Sequence, residues 1–185
     1  LYVPPEVFDP VLFRTGEYFC RFLQRTLTTP ADGATALDVS TGTGIHGLAA
    51  ASCGYQVTAV DINPAAVRCA QINALVNALE DRFEAVQSNL FEAVAGRRFD
   101  LIVCSLPNYR GEPGQAGLDL AWRSVDVIER FASGLRDHLT PGGAAYVLVS
   151  TDGDDTGMMS ALDAEHLTAE YITAEDFGNE VMTVY

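Results

Sequence analysis

A chain of 185 residues with 48% hydrophobic and 19% charged residues suits one globular domain with a full core, expected to span residues 1–185. The net charge is −14, all 11 basic residues are arginine, and no cluster is richer than Arg97-Arg98, so extensive nucleic-acid contact is disfavoured. No apolar run approaches the ~18–20 residues of a membrane helix and no secretory leader pattern is visible, so a soluble, cytoplasmic protein is expected. Cys20, Cys53, Cys69 and Cys104 form no C-x-x-C and have no histidine at zinc-ligand spacing, which predicts free thiols and no metal site.

The first 14 residues, Pro-rich and aromatic, read as an arm packed on the body. Thr15 is placed to cap a helix through about Leu27, with Phe19, Phe22, Leu23 and Leu27 on one face. Strand and helix then alternate. Ala34–Val39 is a strand, Gly44–Ser52 a helix closed by Gly54, and Tyr55–Val60 a second strand. Asn63 caps a helix with Pro64 at its first position, running to about Leu79. Phe83–Ser88 and Phe99–Cys104 are further strands, and Leu118–Leu139 a long helix stopped by Thr140-Pro141-Gly142-Gly143. Ala144–Ser150 is the fifth strand. Such alternation predicts a parallel sheet covered on both faces. In the tail, His166–Phe177 and Glu180–Tyr185 are separated only by Gly178-Asn179, which makes a hairpin and turns the last strand antiparallel. Asp152-Gly153-Asp154-Asp155 lacks the continuation of a calcium loop and reads as a solvated turn.

Asp38-Val39-Ser40-Thr41-Gly42-Thr43-Gly44 leaves a strand and opens a helix, where glycines let backbone approach a ligand. Asp61 ends the next strand, placed to accept bonds from two ribose hydroxyls. Gly42-Thr43-Gly44-Ile45-His46-Gly47 also fits the dinucleotide fingerprint G-x-G-x-x-G, which keeps a nicotinamide-dependent oxidoreductase as a rival. A carboxylate at Asp38 suits a cationic ligand better than a pyrophosphate, and a tail hairpin is foreign to the dinucleotide fold.

At these residues the chain resembles class I S-adenosylmethionine-dependent methyltransferases, whose pattern is D/E-x-G-x-G-x-G followed by an acid ending the second strand. Ser40 stands where the first glycine is usual. The resemblance implies an α/β Rossmann-like three-layer sandwich with a seven-stranded, mostly parallel sheet and an antiparallel last strand. It implies S-adenosyl-L-methionine as cofactor, held by Asp38, Ser40, Thr41, Gly42, Gly44, Asp61, Ile62, Asn89, Leu90 and Cys104, with Asn89 beside the adenine.

The fourth strand runs into Cys104-Ser105-Leu106-Pro107-Asn108-Tyr109, where HemK-type protein-glutamine and adenine-N6 methyltransferases carry N-P-P-Y. There an asparagine and a carbonyl hold a planar nitrogen while an aromatic ring stacks on the acceptor. Val7-Phe8-Asp9-Pro10, Leu139-Thr140-Pro141-Gly142-Gly143 and Asp176-Phe177-Gly178-Asn179-Glu180 also resemble segments of the HemK group. Here the Asn-Pro-Pro arrangement is broken, so the expected acceptor is a small molecule methylated on N or O, with a protein glutamine as the alternative. A non-catalytic nucleoside-binding protein is a third reading. Ser105, Asn108 and Tyr109 are the catalytic candidates, with His46 and Asp119 as further polar groups, and His46 expected on a helix surface. The arm Leu1–Arg14 and the loop Arg110–Gly117 are expected to roof the acceptor site.

Overall fold

The computed structural model describes residues 1–106, 109–112, 121 and 123–185. Its main elements are α1 Thr15–Thr26, β1 Thr35–Val39, α2 Ile45–Cys53, β2 Gln56–Asp61, α3 Pro64–Val76, β3 Phe83–Gln87 and β4 Phe99–Ser105. They are followed by α4 Val127–Leu135, β5 Leu139–Ser150, α5 Asp155–Ala164, β6 Thr173–Asp176 and β7 Val181–Val184. The seven strands form one sheet in the order β3-β2-β1-β4-β5-β7-β6. The first five pair in parallel, and β7 runs antiparallel to both β5 and β6. The strand order therefore switches between β1 and β4, and ligands of open parallel sheets sit beyond the carboxyl ends at such a switch.

The two-residue period of the strands divides the core. Ala36, Leu101, Val103 and Leu148 face one side, under α1, α2 and α3. Leu37, Val39, Ile102, Cys104, Val147 and Val149 face the other, under α4 and α5. Asp38 shares the parity of Ala36, so its carboxylate points beneath α2.

Several expectations are corrected. Thr15 starts α1 without capping it; Arg14 holds the cap position in a left-handed conformation with no side-chain bond. Of the expected long helix, the described residues give α4 and, ahead of it, an extended Arg123–Ser124 that pairs with Tyr109–Arg110, while residues 118–120 and 122 lie outside the described residues. Thr140-Pro141-Gly142-Gly143 lies inside β5 as a bulge, where register passes from Phe99–Leu139 to Leu101–Ala144. Pro141 cannot donate to a ladder, and a bulge accommodates it. The run Asp152–Asp155 opens a helix that sequence reading missed: Asp154 caps α5 by accepting from the Gly157 amide at 2.9 Å, and Met158, Ala161 and Leu162 bury its inner face. Gly54 and Asn63 cap α2 and α3 as expected. Among the described residues no helix is long and apolar enough to cross a membrane.

The arm is tied down along α3. Tyr2 bonds Asn73, Glu6 O accepts from Asn63 Nδ2 at 2.9 Å, and Val7 is buried against Ala66 and Cys69. Pro10 seats on Gly16, where any added Cβ would collide with it at 2.2 Å.

Candidate active site

A cavity of about 440 Å3 opens at the carboxyl ends of β1, β2, β4 and β5. Such a volume falls in the ~300–1,000 Å3 range of small-ligand sites. Over β1–β3 it is lined by Ser40, Thr41, Gly42, Asp61, Ile62, Asn89 and Leu90. Ser105 and Tyr109 line its middle, and Leu148, Ser150, Glu180 and Met182 its far side over β5 and β7. Val7, Phe8, Pro10 and Phe13 of the arm border it as well.

The turn after β1 is held from behind. Asp38 is fully buried and does not line the cavity. Its Oδ2 accepts from the Thr41 hydroxyl at 2.5 Å and from the Gly47 amide at 2.9 Å, while Oδ1 has no partner among the described residues. Burial pushes its carboxyl up to about 7, against the lowering effect of those two bonds. Gly47 admits this approach because a Cβ there would meet the Phe83 ring at 2.8 Å and Asp38 at 2.9 Å. Ser40 adopts φ 59, the left-handed conformation that glycine takes without strain.

Asp61 faces the cavity from the end of β2. Its Oδ2 accepts from the Gly42 amide and its Oδ1 from the Asn63 amide, both at 2.9 Å. Burial raises its carboxyl above the usual range, opposed by these amides. A carboxylate has about four lone-pair sites, so the amides do not exhaust its capacity to accept from a hydroxyl. Asn89 and Leu90 follow β3 in a turn fixed by Ser88, whose hydroxyl donates to Leu90 O at 2.8 Å and accepts from the Ala93 amide at 2.9 Å.

Of the other expected site residues, Ser105 and Tyr109 reach the cavity, and the Tyr109 ring lies 5.8 Å from the Arg123 guanidinium. Cys104 is fully buried on the α4–α5 side, outside the cavity, and burial holds its thiol well above the usual range. Asn108, Asp119 and residues 113–117 of the expected lid lie outside the described residues. His46 is not a surface histidine. It is 6% exposed, tilted against the Phe19 ring at 4.8 Å, and burial lowers it to about 4, so it is neutral at pH 7.

Sequence reading passed over Ser150 and Glu180. Ser150 is fully buried, donates to Glu180 Oε2 at 2.5 Å and accepts from the Asp152 amide at 3.1 Å. Its signal was its parity with Leu148, which puts a hydroxyl on the face that the cavity uses. Asn73 was also missed, although a lone amide on the apolar stripe of Ala66, Ala70 and Ala74 is a visible anomaly.

Comparison with known proteins extends this picture. Residues 18–175 match the methyltransferase small domain family. The release factor glutamine methyltransferase of Shewanella oneidensis is 32% identical over 172 residues, covering 85% of this chain and 59% of that protein. The chain thus spans little more than half the length of this relative. Among solved structures, a methyltransferase from Pyrococcus furiosus superposes with a TM-score of 0.68 at 19% identity, covering all of this chain and 86% of its own. A T. thermophilus 16S rRNA methyltransferase in complex with AdoMet and guanosine gives a TM-score of 0.69 at 22% identity, covering 96% of this chain and 43% of its own. At those identities the structures speak for the fold alone. With the family pattern matched over most of its length, the chain belongs to the methyltransferase small domain family.

Proposed function

We propose that this chain transfers the methyl group of S-adenosylmethionine to a planar nitrogen of a protein side chain, with a glutamine amide as the foremost acceptor. The observation that carries the reading is the shared cavity in which the Gly42 turn and Asp61 meet Ser105 and Tyr109. The donor fits the residues present: Asp61 keeps accepting capacity for the ribose, and Asn89 offers an amide to the adenine edge. Bound there, the donor supplies an activated methyl on a sulfonium, and alignment provides much of the acceleration. Asp38 acts on it through the turn, by fixing Thr41 and Gly47. Ser105 and Tyr109 orient the acceptor nitrogen, and Tyr109 offers a ring face for stacking. The glutamine preference is supported by the relative of that name.

A small-molecule acceptor is the second reading, favoured by the arm residues Val7, Phe8, Pro10 and Phe13 along the same cavity. Incubation with methyl-labelled donor and a purified release factor tests the first. Label on a glutamine, located by mass spectrometry, is the expected result. Donor binding without protein labelling, together with turnover of a low-molecular-weight extract, would move the assignment to the second.

A further inference from the structure

The fully buried Asn73 joins two parts of the molecule far apart in sequence. Its Nδ2 donates to Thr43 O, in the turn after β1, at 2.9 Å and to Tyr2 O, in the arm, at 2.9 Å. Its Oδ1 accepts from the Tyr2 amide at 2.6 Å. A second chain of bonds runs alongside: Asp61 Oδ1 accepts from the Asn63 amide, and the Asn63 side chain donates to Glu6 O. The backbone of α3 packs directly on the same turn, since a Cβ on Gly44 would meet the Ala70 Cα at 3.2 Å. Thr43 is itself buried, so its carbonyl has no water to fall back on. One amide therefore links the turn directly to Tyr2.

We infer that Asn73 is a positioning residue that couples occupation of the Gly42 turn to docking of the arm 1–14 over the cavity. This rests on the reading of that turn as the donor site. Coupling between two sites is reciprocal: a donor that tightens the arm is bound more tightly because the arm is there. A merely structural Asn73 would lower stability yet leave the donor's effect on the arm unchanged.

The test is chymotrypsin cleavage after Phe8 and Phe13, read by mass spectrometry with and without saturating S-adenosylhomocysteine. In the unaltered chain the ligand is expected to slow cleavage about fivefold, the low end of typical coupling. In Asn73→Ala the ratio is expected to fall to near one, with S-adenosylhomocysteine affinity reduced by the same factor. Deleting residues 1–3 removes Tyr2 but leaves the bond to Thr43, and is expected to give the same two losses; this variant decides if Asn73→Ala fails to fold. Unchanged protection and affinity in the deletion would overturn the inference while leaving the donor site intact. Failure of the unaltered chain to bind S-adenosylhomocysteine would remove the donor reading, and the inference with it.

Discussion

Over β1 and β2 the cavity wall is a turn whose backbone is held by the side chains of Asp38, Asp61 and Asn73, whereas over β5 and β7 it is made of side chains, with Ser150 paired to Glu180. Asp38 holds Thr41 and Gly47, Asp61 holds Gly42, and Asn73 holds Thr43, so the backbone of the first wall is hydrogen-bonded to side chains around it. The second wall rests on Ser150 and Glu180, on Tyr109 beside Arg123, and on the arm. A wall of backbone is hard to vary by substitution, and a wall of side chains is easy. That contrast suits an invariant donor on one side and a chain-specific acceptor on the other.

Substitutions that act on one wall alone would sharpen this contrast. The largest effect is expected from Asp38→Asn, in the pH dependence of stability. The Asp38 carboxyl is raised on folding, so its contribution is fully present below about pH 4 and is lost as pH rises through about 7. His46 is lowered on folding, so it opposes: its contribution is lost as pH falls from about 6.5 through about 4. Removing the Asp38 charge is expected to increase stability relative to the parent by about 4 kcal/mol between pH 4 and pH 8, since each tenfold change in proton affinity is worth ~1.4 kcal/mol. Parallel urea curves at the two pH values check this; a constant difference would mean that Asp38 is not buried as described.

Asp61→Ala is expected to weaken S-adenosylhomocysteine by about 1.5–3 kcal/mol, through loss of charge-assisted bonds to the ribose and release of the Gly42 amide. Calorimetry measures it, and unchanged affinity would remove Asp61 from the site. Gly47→Ala forces a methyl between Phe83 and Asp38, an overpacking that costs about 1–3 kcal/mol in chemical denaturation. Ser40→Gly relieves a left-handed serine and is expected to stabilise the chain by about 0.5–1 kcal/mol, with donor affinity retained. The smallest effect is the control for the other wall. Tyr109→Phe and Glu180→Gln are expected to leave S-adenosylhomocysteine affinity within about twofold, roughly 0.4 kcal/mol, while lowering turnover. A large loss of donor affinity in either would break the division into two walls.

Much of the donor half was legible along the chain because it is local. A strand, a glycine turn and a helix follow one another within Asp38–Gly47, and caps such as Asn63-Pro64 and Gly54 are set by neighbouring backbone. The hairpin at Gly178-Asn179 was legible for the same reason. The residues Arg123–Ser124 read as helix, and their pairing with Tyr109–Arg110 is a contact that local pattern does not carry.

The sequence by itself determined the order of strands and helices from α1 to β4, the sheet class, the positions of Asp61 and the glycine turn, and the family pattern they compose. Periodicity and capping act between residues a few places apart, so they can be read without a fold. The tertiary structure alone decided that Asp38 turns beneath α2 rather than into the cavity, that His46 is buried and neutral, and that Ser150 and Glu180 line the far wall. It also decided that Asn73 ties Tyr2 to Thr43, 71 and 30 residues away. Each of these depends on which face of a strand or helix meets which neighbour. That choice is made by burial across the whole sheet, not by any stretch of chain on its own.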